Sequence, residues 1–187
     1  THDTILFFSN KGKVYRLRGY EIPEAGRTAK GTAIVNLLML DGGEKISAVI
    51  PIANFAEGKY LLMATRNGII KKTSLNEYMA VRKSGLIGIT LKEEDELIDV
   101  RLTDGEDNVV LVTNKGMCIT FDEKDVRPMG RVSQGVIGIR LDEGDFVIGM
   151  ESIIHGSKAT LLAITENGFG KRTELEEYRV QTRGGKG

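Results

Sequence analysis

Ile5-Leu6-Phe7-Phe8-Ser9-Asn10-Lys11-Gly12 decides the fold, because the chain writes it again three times. The echoes are Leu61-Leu62-Met63-Ala64-Thr65-Arg66-Asn67-Gly68, Val109-Val110-Leu111-Val112-Thr113-Asn114-Lys115-Gly116 and Leu161-Leu162-Ala163-Ile164-Thr165-Glu166-Asn167-Gly168. Each is an apolar run, a Ser or Thr, two further residues, mostly polar, and a glycine. The run has no helical period and reads as a strand buried on both faces. The Asn-Gly or Lys-Gly pair is a hairpin signal, since glycine tolerates positive φ. A second strand then returns over Lys13 to Leu17, Ile69 to Thr73, Met117 to Phe121 and Phe169 to Thr173. Marker glycines recurring at intervals of about fifty residues mean one supersecondary unit used repeatedly.

Outward from the hairpins, each repeat continues with a polar loop. It reads Gly26-Arg27-Thr28-Ala29-Lys30-Gly31 in the first repeat and Val81-Arg82-Lys83-Ser84-Gly85 in the second. The third has Gly130-Arg131-Val132-Ser133-Gln134-Gly135 and the fourth Gln181-Thr182-Arg183-Gly184-Gly185-Lys186-Gly187. A third strand is expected over Thr32–Leu37, Leu86–Leu91 and Val136–Leu141. A fourth, after an acidic turn, is expected over Ile46–Ile50, Leu97–Val100 and Phe146–Met150. Helix is limited to a turn at Leu75–Met79 and Leu175–Tyr178. Four short strands per repeat describe a propeller blade. The expected fold is therefore all-β, with four-stranded blades in one repeat domain, 1–187. The repeats run over about 3–58, 59–107, 108–158 and, half present, 159–187. With no tryptophan, the chain fits the kelch and WD patterns poorly. The half repeat makes it read as an open arc or as a piece of a longer protein.

The formal net charge is zero, with 26 basic and 26 acidic residues, which argues against a uniformly basic nucleic-acid binder. The zero hides a segregation. From Lys59 to Gly85 the basic residues Lys59, Arg66, Lys71, Lys72, Arg82 and Lys83 face the single acid Glu77; from Leu86 to Asp107 acids dominate. In the first repeat Lys11, Lys13, Arg16, Arg18, Arg27 and Lys30 precede the acidic turn of Asp41 and Glu44. Equivalent positions of a repeat fall on one rim. Basic half-repeats are thus expected to stack into a stripe suited to a polyanion, with the acidic turns gathered elsewhere. Four positions after each marker glycine stand Arg16, Lys72, Thr120 and Arg172, expected to form a shared track.

Other chemistry is missing from the pattern. His2 and His155 have no ligand at metal spacing, and Gly168-Phe169-Gly170-Lys171-Arg172-Thr173 lacks Walker spacing. Asp104-Gly105-Glu106-Asp107-Asn108 lacks the alternation of an EF-hand. No nucleophile stands with a base. Cys118, the single cysteine, is expected to be a buried thiol, which fits a cytosolic protein. No apolar run is long enough for a bilayer, and no cofactor or membrane partner is expected.

The same residues resemble the C-terminal domain of the DNA gyrase A subunit, from the bacterial type IIA topoisomerases. Thr4 to Tyr15, Gly26 to Gly31, Asp95-Glu96-Leu97-Ile98 and Thr165 to Thr173 carry the likeness, which runs along essentially the whole chain. The resemblance implies a β-pinwheel whose neighbouring blades exchange a strand and whose basic rim bends double-stranded DNA. It implies as partners the gyrase B subunit together with the rest of the gyrase A subunit, in a bacterial, nucleoid-associated location. The breaking tyrosine and ATPase would lie elsewhere, leaving this chain without activity of its own. Equivalent domains of topoisomerase IV, and a protein-interaction propeller, are the alternatives. The family's signature box reads Gln-Arg-Arg-Gly-Gly-Lys/Arg-Gly and sits in the first blade. Gln181 to Gly187, with Thr182 in place of an arginine, therefore reads as a box-like loop of a later blade. The candidate DNA contacts are Lys11, Lys13, Arg16, Arg27, Lys30, Arg66, Lys71, Lys72, Arg82, Lys83, Lys115, Arg131, Lys171, Arg172, Arg183 and Lys186.

Overall fold

A computed structural model describes residues 2–187. Strands β1 (Thr4–Ser9), β2 (Lys13–Arg18) and β3 (Ile46–Ile52) come from the first repeat. The second gives β4 (Tyr60–Thr65), β5 (Ile69–Ser74), β6 (Leu86–Ile87) and β7 (Leu97–Thr103). The third gives β8 (Asp107–Thr113), β9 (Cys118–Asp122), β10 (Val136–Ile137) and β11 (Val147–Ile154). The fourth gives the hairpin β12 (Thr160–Ile164) and β13 (Gly170–Glu174). Among the described residues, helix is confined to short 3-10 turns, including Leu75–Tyr78 and Leu175–Glu177.

The sheets do not follow the repeats. The first has the order β3-β1-β2-β6 and the second β10-β5-β4-β7, all antiparallel neighbours. β6 therefore completes the blade of the repeat before its own, and β10 does the same one blade later. The expected third strands shrink to two residues, and Thr32–Leu37 forms a 3-10 turn over Ile34–Asn36. The reason lies at the marker glycine. The Gly12 carbonyl accepts the amides of Gly88 (2.8 Å) and Ile89 (3.1 Å), and the Gly68 carbonyl those of Gly138 (2.8 Å) and Ile139 (3.2 Å). These bonds turn the chain off the sheet after two residues. Gly68 has φ 81°, and a Cβ there would stand 2.6 Å from the Ile139 carbonyl oxygen.

The central strand of each full blade is buried on both faces, and β4 shows why. Leu61 and Met63 join Leu6, Phe8, Leu75 and Tyr78 in one core, while Leu62 and Ala64 join Val109, Leu111 and Phe121 in the next. Adjacent blades thus share their cores, each large apolar side chain contributing about 1.5–3 kcal/mol. The β12–β13 hairpin lacks this sandwiching, and Leu162, Ile164 and Phe169 are exposed.

Candidate nucleic-acid interface

The Ser or Thr of each repeat closes its hairpin. The hydroxyl oxygens of Ser9, Thr65, Thr113 and Thr165 accept the amides of Lys13, Ile69, Met117 and Phe169 at 3.2–3.3 Å. In the three full repeats the acidic turn comes back onto this same end. Asp95 accepts the Asn67 amide at 2.9 Å; Asp145 accepts the Thr113 hydroxyl at 2.6 Å and the Lys115 amide at 3.0 Å. Glu44 accepts the Ser9 hydroxyl and, at 2.7 Å, the Tyr15 hydroxyl. Burial pushes the Glu44 carboxyl up, but these hydrogen bonds outweigh it and hold it below the usual carboxylate range.

This corrects the expected separation of charge. The acidic turns do not gather away from the cations but fold over the basic hairpin tips. Lys13 pairs with Asp41, and Lys11 donates to the Gly42 carbonyl at 2.8 Å. Lys115 donates to the Glu143 carbonyl at 2.6 Å, and Lys186 pairs with Asp142 at 2.7 Å. Arg66 lies over the Phe146 ring, 3.7 Å from its centroid.

The expected track through Arg16, Lys72 and Arg172 is broken at its middle. Lys72 is 4% exposed and donates to the Glu123 carbonyl at 2.8 Å, with the Glu123 carboxylate 3.6 Å away. Glu123 also accepts from Thr103 (3.1 Å) and the Asp107 amide (3.3 Å). Burial raises its carboxyl even though Lys72 opposes the shift. Lys71 is fully buried and donates to the carbonyls of Gly88 (2.8 Å) and Arg131. With no carboxylate in contact, burial pushes it down to about 7. Both lysines are withdrawn from the solvent-facing set: β5 is an inner strand, its edge covered by β10 at Ile69 and Ile70 and by Pro128 and Met129 at Lys72. Arg16 is half-buried, its guanidinium on the Met79 carbonyl at 3.0 Å, whereas Lys171 and Arg172 are exposed on the last hairpin.

The loop cations divide into two kinds. Arg131 donates to the Ile87 carbonyl, and Arg183 repeats this with the Ile137 carbonyl at 3.0 Å while also reaching the Asp125 carbonyl at 2.9 Å. These two fasten one repeat to the one before. Around Arg183 the box-like loop docks on blade three, with the Gln181 amide on the Thr120 carbonyl at 2.7 Å and the Gly184 amide on the Gly138 carbonyl at 2.6 Å. Arg27, Lys30, Arg82 and Lys83 are exposed. Arg82 and Lys83 come together with Arg16 in a cleft of about 450 Å³ that also takes in Arg18, Tyr20 and Glu21. Neither Arg18 nor Tyr20 stood among the candidate contacts; the signal available was that Arg18 follows Arg16 at the alternation of one strand face. Cys118 is half-buried, not fully enclosed, and burial raises its thiol.

The chain matches a family described as the DNA gyrase C-terminal domain, a beta-propeller, over residues 3–53, 59–104, 107–154 and 159–187. It is 57% identical over 187 residues to the DNA gyrase A subunit of Clostridium acetobutylicum, and 47% identical over 188 residues to that of Staphylococcus epidermidis. All of the chain is covered in both cases, against 22% and 21% of those relatives. Among solved structures, the C-terminal domain of a DNA topoisomerase IV superposes with a TM-score of 0.91 at 37% identity, covering all of this chain and 58% of that one. A DNA gyrase A C-terminal domain gives 0.83 at 30% identity, covering all of this chain and 59% of that one.

Proposed function

The chain belongs to the DNA gyrase C-terminal domain family, and on that premise we propose that it binds duplex DNA without sequence preference and bends it along its exposed cations. Within a larger polypeptide this would support negative supercoiling in the bacterial nucleoid, alongside the gyrase B subunit together with the rest of the gyrase A subunit. The observation that carries the reading is the loop following the second strand. It exposes Arg27 and Lys30 in the first repeat and Arg82 and Lys83 in the second, with Lys171 and Arg172 exposed on the last hairpin. Cations dispersed over successive repeats, with no recognition helix among the described residues, suit phosphates and not base edges.

Contacts of this kind release counterions, so log affinity should fall with log salt by about 0.9 per neutralised phosphate. The test is a titration of random-sequence duplexes from low to physiological salt. Reversing Arg27 and Lys30 to Glu, or Arg172 to Glu, should weaken binding at every sequence alike without changing the melting temperature. A flat salt dependence, or strong preference for one sequence, would move a protein-interaction role ahead. The close superposition on a topoisomerase IV domain favours a second reading, in which the domain steers substrate choice and wraps less strongly. The 57% identity to a gyrase relative outweighs it here. Supercoiling against decatenation by the parent enzyme, with and without the domain, separates the two.

A further inference from the structure

The cleft between the first blade and the loop of the second repeat contains its own anion. Arg16 and Arg18 line it from β2, Tyr20 and Glu21 from the 3-10 turn that follows, and Arg82 and Lys83 from across the blade junction. Among Arg16, Arg82 and Lys83 projects one carboxylate. Glu21 accepts the Arg18 main-chain amide at 2.7 Å and pairs with Lys83 at 2.6 Å. The Arg18 guanidinium is turned away, onto Thr4 at 2.9 Å. Tyr20 is 63% exposed beside this group.

The donors around Glu21 are of two kinds, a main-chain N–H and an ammonium, with the Arg16 charge acting on the carboxylate from the strand that precedes it. That is the set which holds a phosphate oxygen at a protein–DNA backbone contact. Hydrogen bonds from the Arg18 amide and from Lys83 hold the Glu21 carboxyl below the usual range, so at neutral pH Glu21 carries a full negative charge among these cations. The residue nine positions beyond the marker glycine is acidic in each repeat: Glu21, Glu77, Asp125 and Glu177. At the next junction but one, the corresponding Asp125 meets Arg183 through its carbonyl and not its carboxylate. Of these two, it is Glu21 whose carboxylate pairs directly with a cation in an open cleft.

We propose that this cleft is a seat for one backbone phosphate of duplex DNA, and that Glu21 occupies it as an internal competitor which the phosphate must displace. The proposal rests on the DNA-binding reading above and adds a site and a brake to it. When DNA arrives, Lys83 exchanges the carboxylate for a phosphate oxygen and Arg16 and Arg82 close around it. Affinity is then set below what the cations alone would give, and the blade junction resists nonspecific polyanions.

The test uses the 187-residue chain, a fluorescently labelled random-sequence duplex of forty base pairs and a salt series, with a thermal melt for each variant. Glu21→Gln keeps an acceptor for the Arg18 amide and removes the charge. It should tighten binding roughly three- to tenfold at low salt and steepen the log–log salt slope by up to about one, because no displaced carboxylate is left to take up a salt cation. Lys83→Gln should weaken binding by a similar factor, and the double variant should return near the parent. If Glu21→Gln lowers the melting temperature while affinity and slope stay at parental values, Glu21 is a structural brace and the proposal is overturned. If the parent binds DNA with a steep salt slope that neither variant moves, the cleft is not a phosphate seat, though the DNA-binding reading stands. If the parent shows no salt-dependent binding, both fall together.

Discussion

Replacing Lys72 tests how the second and third blades are joined. Its ammonium lies 3.6 Å from the Glu123 carboxylate, with side chains 5% and 0% exposed. At that separation and an effective dielectric near 20, the attraction is about 4–5 kcal/mol. It is opposed by the desolvation of both ions, so the net worth of the pair is far smaller. Breaking the pair on one side is a different matter, because it strands the other charge. Lys72→Met should therefore destabilise by about 3–5 kcal/mol, and Glu123→Leu by a comparable amount. The repeat itself suggests the rescue: Leu75 and Leu175 stand where Glu123 does. The double variant Lys72→Met/Glu123→Leu should recover to within about 1–2 kcal/mol of the parent, giving a coupling energy of several kcal/mol. Urea melts followed by circular dichroism and tyrosine fluorescence read this directly. DNA affinity of the folded double variant should match the parent, since Lys72 does not face solvent. Additive single losses, or a Lys72→Met cost under about 1 kcal/mol, would refute the buried-pair reasoning.

Lys71 makes stability depend on pH. Its folded pKa of about 7 lies below the ordinary 10.5, so between those values the unfolded chain holds the proton more tightly. The contribution of this group to stability therefore rises with pH across that window, by up to about 1.4 kcal/mol per unit. Lys71→Met should flatten the parent's rise in urea midpoint between pH 7 and 10; an unchanged slope would show the ammonium to be solvated. Gly68 and Gly168 have nearly equal φ, 81° and 82°, but a Cβ at Gly68 meets the Ile139 carbonyl at 2.6 Å and one at Gly168 meets nothing within 4 Å. Left-handed strain cancels in the comparison. Gly68→Ala should lower the melting temperature well beyond Gly168→Ala, and equal losses would mean that the blade contact can yield.

The hairpins were legible in the sequence because everything that makes them is local. An apolar run, a hydroxyl that caps the turn and a glycine able to take positive φ all lie within about a dozen residues. Strand exchange was not legible from the residues alone. Leu86-Ile87 alternates in the same way whether it pairs within its own repeat or with Lys13–Val14 far upstream, and only the family resemblance pointed to exchange. Charge was misread for a similar reason. A lysine in a strand looks like a surface residue, and Lys71 and Lys72 meet their covering partners in the Glu123–Arg131 segment that arrives from the next repeat. The return of Asp95 and Asp145 to the hairpin tips depends on single carboxylates that look like any solvated acid in a turn.

Strand exchange also sets a timetable for synthesis. β2 leaves the ribosome about seventy residues before its edge partner β6, and β5 waits about as long for β10. At 5–20 residues per second, each edge stays open for roughly three to fourteen seconds. An open strand edge is a template for pairing with another nascent chain, and charged side chains blunt it. β2 presents Lys13, Arg16 and Arg18 during its wait, and β5 presents Lys71 and Lys72. The two lysines buried in the folded blades are, during that wait, charged side chains on an open edge.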